Sequence, residues 1–451
     1  MKKRYDLIVV GAGPAGLVAA MTAGQNGLKV ALLERKTDIA KIRRACCEGL
    51  LGMFMYTMGD YAIFSPQDKR ISFLHNGLSI KYEGPYKNIY GFTMYSINGE
   101  KVESKEFKPG KERDNISLST QTAIDKEYLL RGLLEEVQKL NVDIFPGTNV
   151  TAVTKVNDGV AITGNGEIFK GSMAIAADGT LSRMAQQLGF NKERTFLVSI
   201  LWVIYRGVKG FELPDLTTHI HIERGLDKTI FCMTPGAKED EFDLCLGCLI
   251  PRLDMEGDTE YIMKRSLFSS WFKKAKIDEG SATAALTSHY SPIFTPFRDN
   301  VLLVGDSIWS TPAIGIPCAM LSGFKAANAV TMAHHEGRLD EDGVRSYLDW
   351  WKKVCDENDW SFPFRKAFIY ILTEEEMDYV FSLFKEPIDF LIQPYDLRMF
   401  HVKEKTEKAI EKMMPIIEKE RPDIFSKLQE FFNTPIEKLY AETAKAGIAN
   451  R

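Results

Sequence analysis

The chain of 451 residues contains no run of about 18 apolar residues, and so no segment suited to crossing a bilayer as a helix. It has no long polar or low-complexity stretch, which excludes disorder as its main state. Positive charge is not in excess: 57 Lys and Arg against 61 Asp and Glu leave a formal net charge of -4, and with it no broad field for a nucleic acid. Cysteine is scarce. Seven residues, an odd number without regular spacing, fit a reducing compartment better than a disulfide framework. The expected location is therefore the cytoplasm and the expected partner a small molecule. What is present, 45% hydrophobic and 26% charged residues, is an ordinary globular composition at a length that calls for two or three domains.

Met1 and the basic Lys2, Lys3 and Arg4 lead into Tyr5-Asp6-Leu7-Ile8-Val9-Val10, which reads like the start of a secretion signal until glycines interrupt it. Leu7 to Val10 is a continuous apolar run, as expected of a parallel strand buried on both faces. It runs into Gly11-Ala12-Gly13-Pro14-Ala15-Gly16, a GxGxxG turn. Gly11 permits the tight turn, Gly13 lets the backbone approach a pyrophosphate, and Gly16 lets the next helix pack on the strand. That helix, Leu17 to Asn26, points its free N–H groups at the phosphates. A second strand, Lys29 to Leu33, ends at Glu34, followed by Arg35; the Glu34 carboxylate is placed to accept from ribose hydroxyls and disfavours a 2′-phosphate. Strand, glycines, helix, strand and acid in that order predict a Rossmann-type dinucleotide site.

Two further segments bear on which dinucleotide. Ala174-Ile175-Ala176-Ala177-Asp178-Gly179 and Val301-Leu302-Leu303-Val304-Gly305-Asp306 each bring a buried strand to an acid beside a glycine, a close backbone approach with a carboxylate left for a sugar hydroxyl. With the N-terminal turn they resemble the FAD segments of the para-hydroxybenzoate hydroxylase and geranylgeranyl reductase superfamily, over the first three quarters of the chain. The resemblance implies FAD, with the Asp306 carboxylate on the ribityl chain. After Asp306, Pro312, Gly315-Ile316-Pro317 and Ala319-Met320-Leu321-Ser322-Gly323 resemble the geranylgeranyl reductases, and the histidine and asparagine marks of the aromatic hydroxylases are absent. The helix opened by Gly315, Ile316 and Pro317 turns its amides toward the flavin N1/O2 edge. Arg43-Arg44-Ala45-Cys46-Cys47-Glu48-Gly49-Leu50 is similar to the Cys-Gly-Glu-Gly-Leu of archaeal geranylgeranyl reductases. That similarity puts Cys46 near the isoalloxazine and Cys47 where glycine is usual, so Cys46 and Cys47 are the candidate proton donors or redox groups, with Arg43 or Arg44 stabilising a thiolate. A cysteine that only packs is the other reading.

The chain departs from the family at Ile230-Phe231-Cys232-Met233-Thr234-Pro235, where Tyr-x-Trp-x-Phe-Pro is common and only Pro235 is kept, and at Gln121, where an arginine is usual. From Phe196 to Ile250 apolar and polar residues alternate, as in antiparallel strands of a substrate-side sheet. Trp202, Tyr205, Phe231, Met233 and Pro235 are candidates for an apolar substrate wall, with plain core packing as the alternative. His219 and His221 share a strand face but lack a third ligand, so no metal is assigned. In Cys245-Leu246-Gly247-Cys248 a spacing of three puts the thiols on opposite strand faces, which reads as core packing and leaves no ligands for an iron–sulfur cluster. From about Arg338 the sequence turns helical, with aromatic clusters at Trp350-Trp351 and 359–364; the apolar stretches 379–385 and 388–392 suit either a packed helix or peripheral contact with a membrane surface.

The expected fold is α/β: a discontinuous Rossmann-type FAD-binding domain (1–75, 110–195 and 290–336) interleaved with an antiparallel-sheet substrate domain (76–109 and 196–289), plus a helical C-terminal cap (337–451). The expected activity is FAD-dependent hydride transfer between flavin N5 and a carbon–carbon double bond of an apolar, isoprenoid-like or enoyl, substrate, with NAD(P)H or a ferredoxin-like carrier as electron donor. A flavin monooxygenase of the same fold and a non-catalytic binding protein like the Rab GDP-dissociation inhibitors are the alternatives.

Overall fold

The computed structural model describes residues 4–42, 45–46, 48–51, 58–60, 62–104, 121–190, 197–209, 217–223, 229–248, 256–288, 292–309, 315–357, 371–388, 401–435 and 438. Arg43, Arg44 and Cys47, the aromatic cluster at 359–364 and most of the stretch 388–392 therefore lie outside the described residues. The chain enters as β1 (Arg4–Val10), turns through the glycines into α1 (Pro14–Gln25) and returns as β2 (Val30–Glu34). After a short strand β3 (Gly91–Tyr95), helix α2 (Lys126–Gln138) leads to β4 (Val142–Pro146) and then to β5 (Val150–Val156), β6 (Gly159–Gly164) and β7 (Glu167–Ala176). Strands β8 (Leu197–Arg206), β9 (Thr217–Glu223), β10 (Thr229–Pro235), β11 (Glu241–Cys248) and β12 (Thr283–Ser288) follow, before β13 (Val301–Leu303) and α3 (Gly315–His335).

These strands form two large sheets. The first runs β4-β2-β1-β7-β6-β5, with β13 pairing β7; its β4, β2, β1, β7 and β13 are mutually parallel, and β1, β2 and β13 are almost wholly buried. Burial on both faces is why these segments read as unbroken apolar runs. The pairing of β7 with β13 brings Ala176 opposite Leu303, so the segments at Asp178 and Asp306 leave the same edge of the sheet as the glycine turn that follows β1. Helix α3 lies so close to α1 that a Cβ on Gly323 would overlap the Ala15 carbonyl oxygen. The fold is thus the α/β flavoprotein fold expected from the sequence.

The second large sheet is mostly antiparallel, with β12, β8, β11, β10, β9 and β3 in lateral order. Its register divides the residues between two faces. Trp202, Cys245 and Cys232 stand side by side across β8, β11 and β10, whereas Val203, Leu244 and Met233, and likewise Leu201, Leu246 and Phe231, form the alternate rows. The alternate face is a core of its own, sealed by Phe268 and Phe272, with Phe231 against Phe268 at 5.9 Å between ring centroids.

The C-terminal helices attach at two places. Helix α4 (Arg345–Glu357) is tied to the first sheet by Tyr347, whose hydroxyl donates to the Leu303 carbonyl at 2.8 Å, and by Trp351, whose indole N–H donates to the Ile293 carbonyl at 2.7 Å. Helices α5 (Glu374–Ser382), α6 (His401–Glu420) and α7 (Pro422–Asn433) enclose a separate core with Phe92 of β3 and Val102. Val380 and Phe381 are buried in that core, so the apolar side chains at 380 and 381 are used inside the protein. Among the described residues no helix is long and apolar enough to cross a membrane.

Candidate active site

A cavity of about 660 Å³ opens where the C-terminal edge of the first sheet meets the Trp202 face of the second. One part of its wall is the glycine turn, with Gly11, Gly13, Pro14 and Ala15 lining it beside Glu34 and Arg35. Gly11 has φ +98°, a left-handed conformation that favours glycine, and a Cβ there would overlap the Ala177 carbonyl. A Cβ on Gly13, by contrast, would meet nothing within 4 Å. That is the open cradle a pyrophosphate needs, at the amino end of a 12-residue helix whose amides face it. The Glu34 carboxylate accepts the Ala12 N–H at 2.6 Å and the Lys36 N–H at 2.8 Å, which pins the acid to the turn while leaving it lone pairs for a sugar hydroxyl.

The middle of the wall comes from the two later segments. Asp178 and Gly179 line the cavity, as do Val304 and Asp306. Asp178 accepts the Ser182 hydroxyl at 2.5 Å and the Met184 N–H at 3.1 Å, and burial holds its carboxyl above the usual carboxylate range. The Asp306 carboxylate accepts the Thr180 hydroxyl at 3.2 Å. Gly315, Ile316 and Ala319 present the amino end of the 21-residue α3 to the same space. Backbone cradle, helix ends and hydroxyl-seeking acids together fit an extended FAD. They do not depend on the alternation of any surface strand.

The remaining wall holds the reactive groups. Cys46 and Lys126 line the cavity beside Ile200, Trp202 and Cys245 of the second sheet. Lys126 opens α2 next to its cap Asp125, whose carboxylate accepts the Glu127 and Tyr128 N–H groups at 2.9 and 3.2 Å. Its ammonium is hydrogen-bonded to Cys46. Burial pulls that ammonium down, but the charges of Cys46, Glu48 and Asp306 outweigh it and leave its pKa above the ordinary lysine value. Glu48, held at φ +40°, accepts the Lys126 backbone N–H at 3.1 Å, and burial, then the neighbouring Cys46, pushes its carboxyl up to about 8. The Trp202 indole N–H is buried without a hydrogen-bond partner among the described residues, an orphan that costs about 1–3 kcal/mol unless a ligand meets it.

The structure sorts the residues singled out from sequence. The glycine turn, Glu34, Arg35, Cys46, Trp202 and the cavity-lining residues of the Asp178 and Asp306 segments converge. Gly16, Gly305 and Pro317 stand just behind the wall and shape it rather than line it. Phe231 and Met233 are corrected: together with Tyr205 they point into the opposite core, and Pro235 is buried outside the cavity. Cys245 is corrected the other way, since it faces the cavity and not a plain core. Lys126 was missed; its signal was a lysine directly after the Asp125 helix cap. Arg44 and Cys47 are outside the described residues.

The comparisons with known proteins follow the same line. Residues 4–316 match the family described as FAD binding domain, more than half of the chain. A digeranylgeranylglycerophospholipid reductase of Methanothrix thermoacetophila is 24% identical over 361 residues, 78% of this chain and 83% of the relative. The crystal structure of a geranylgeranyl bacteriochlorophyll reductase-like protein from Thermoplasma acidophilum superposes with a TM-score of 0.67 at 20% identity, covering 92% of this chain and 100% of that one. A mutant of the halogenase PltM in complex with FAD superposes with a TM-score of 0.60 at 13% identity, over 99% of both chains. With the cradle and the two acid-bearing strand ends in place, the chain belongs to the FAD-binding-domain family and is an FAD-dependent oxidoreductase similar to the geranylgeranyl reductases.

Proposed function

We propose that the protein reduces a carbon–carbon double bond in an apolar, isoprenoid-like or enoyl, substrate, with the proton coming from Cys46. Bound FAD supplies the hydride from N5. The observation that carries this reading is the pair of Cys46 and Lys126 on the wall of the cofactor cavity beside Trp202, with the Glu48 carboxyl close behind them. A thiol that gives up its proton becomes a thiolate, and the Lys126 ammonium is already placed to hold that charge. Glu48, protonated below about pH 8, then returns a proton to the sulfur. The orphaned Trp202 N–H is a donor for an oxygen of the bound molecule. In this division of labour the first sheet holds the cofactor and the Trp202 face takes the substrate. The relatives named as reductases of geranylgeranylated lipids support the apolar class. Because one glycine-rich turn serves the FAD, electrons arrive from transiently bound NAD(P)H or from a ferredoxin-like carrier.

The test is an anaerobic visible spectrum of the purified protein, reduced with dithionite and mixed with geranylgeranyl and enoyl compounds. Return of oxidised flavin with a saturated product supports the proposal; colour restored by oxygen alone, with a hydroxylated product, replaces it with a monooxygenase. The pH dependence has a definite sign. Glu48 carries its proton below about 8, so the rate of double-bond reduction is expected to fall as pH rises through that value. Glu48→Gln should lower the rate and remove this alkaline limb; a limb unchanged in the variant assigns it to another group.

A further inference from the structure

We propose that Cys232 and Cys245 form a reversible dithiol/disulfide centre in the cavity wall, which exchanges electrons with small external dithiols through Cys46. The two residues are direct partners across β10 and β11 and share the face that looks into the cavity, where Cys245 and Cys46 both line the wall. The Gly236 N–H donates to the Glu241 carbonyl at 2.7 Å in the same register, and alternation from that bond makes the Cys232 and Cys245 pair one of the wide, hydrogen-bonded kind. Such partners have Cα atoms about 5.5 Å apart, inside the disulfide range, while their Cβ atoms must draw closer for the bond to form. A disulfide made there is strained and readily reduced, which suits a redox couple better than a structural staple.

The division of labour among the three thiols follows from their surroundings. Burial pushes the Cys232 thiol up to about 12 and the Cys245 thiol well above the ordinary thiol value, so neither attacks as a thiolate. Among the described residues Cys46 is the thiol hydrogen-bonded to a buried lysine ammonium, and it lies within electrostatic reach of Cys245. In the reducing direction the Cys46 thiolate attacks the Cys245 sulfur, the Cys232–Cys245 bond breaks, and the departing Cys232 sulfur takes a proton. An external dithiol then attacks Cys46, releasing Cys245, which also takes a proton. The second external thiol closes the external disulfide and restores the Cys46 thiolate. The net change is one protein disulfide and one external dithiol giving two protein thiols and one external disulfide.

None of this requires the proposed double-bond reduction. The protein as isolated is equilibrated anaerobically in dithiothreitol buffers of graded oxidation, quenched in acid, alkylated and mapped by peptide mass spectrometry. The expected result is one disulfide joining the Cys232 and Cys245 peptides that appears reversibly as the buffer becomes oxidising. Cys46→Ser should reach the same end point at least about tenfold more slowly, since the attacking thiolate is gone. Cys232→Ala should leave Cys245 free at every ratio. If both thiols of the unsubstituted protein are alkylated at every ratio, or if Cys245 is joined to a different cysteine, the centre does not exist.

Discussion

Gly16→Ala is expected to yield protein that carries less than about a tenth of the flavin of the parent and melts several degrees lower. A Cβ at this position would overlap the Gly11 carbonyl oxygen and press on Ala177, both fixed in the turn and in the strand end beside it. Neither neighbour is a flexible side-chain tip, so α1 must lift from the sheet, a cost of about 3 kcal/mol at the upper end for overpacking. The lifted helix also withdraws its amides from the cavity. Gly13→Ala separates the two effects, because its Cβ would meet no protein atom within 4 Å. It should melt like the parent and yet lose flavin, the added methyl occupying ligand space alone. The absorbance ratio of flavin to protein, read with a thermal melt of each variant, checks both. A Gly16→Ala protein with full flavin content would show that α1 does not seat the cofactor as argued.

The second large effect belongs to Lys126. Replacing it with methionine keeps the length of the chain and removes the cation that faces Cys46, Glu48 and Asp306. A thiolate formed at Cys46 would then lose the ammonium that faces it. The rate of proton delivery is expected to fall by about 10²-fold or more, the span usual for a general acid. An independent readout avoids dependence on turnover. The pH midpoint for alkylation of Cys46 by iodoacetamide should move up in Lys126→Met, and Lys126→Arg should restore most of it. A midpoint that stays in place would mean that another group holds the thiolate.

The fold was largely legible because its determinants are local. A buried parallel strand is an apolar run, the glycines of the turn have steric duties that few other residues meet, and Gly305-Asp306 follows another apolar run. The second sheet was legible as strands, yet which face met the cofactor was not. Phe231 and Met233 alternate with Cys232 and Thr234, and nothing in the order of residues says which set faces inward; a shift of one residue exchanges them. Apolarity suggested that Phe231 and Met233 form the pocket wall. The opposite core claimed them instead, and the smaller, more polar Cys232 shares the sheet face of the cavity-lining Cys245 and Trp202. Lys126 escaped notice for another reason. Its partner Cys46 is distant along the chain, and only tertiary packing joins a helix start to a loop.

The wall around Gly11 and Gly13 is completed only by β13 and α3, which the ribosome delivers long after the glycine turn. Roughly 125 residues separate Ala176 from Val301, so at about 5–20 residues per second the nascent N-terminal part of the sheet waits about 6–25 s for its missing strand. During that interval β7 has an unpaired edge and α1 an uncovered flank. Flavin cannot be gripped until synthesis has passed α3, so cofactor loading belongs to the later part of biogenesis, and chains arrested before that point should emerge colourless and open to proteases.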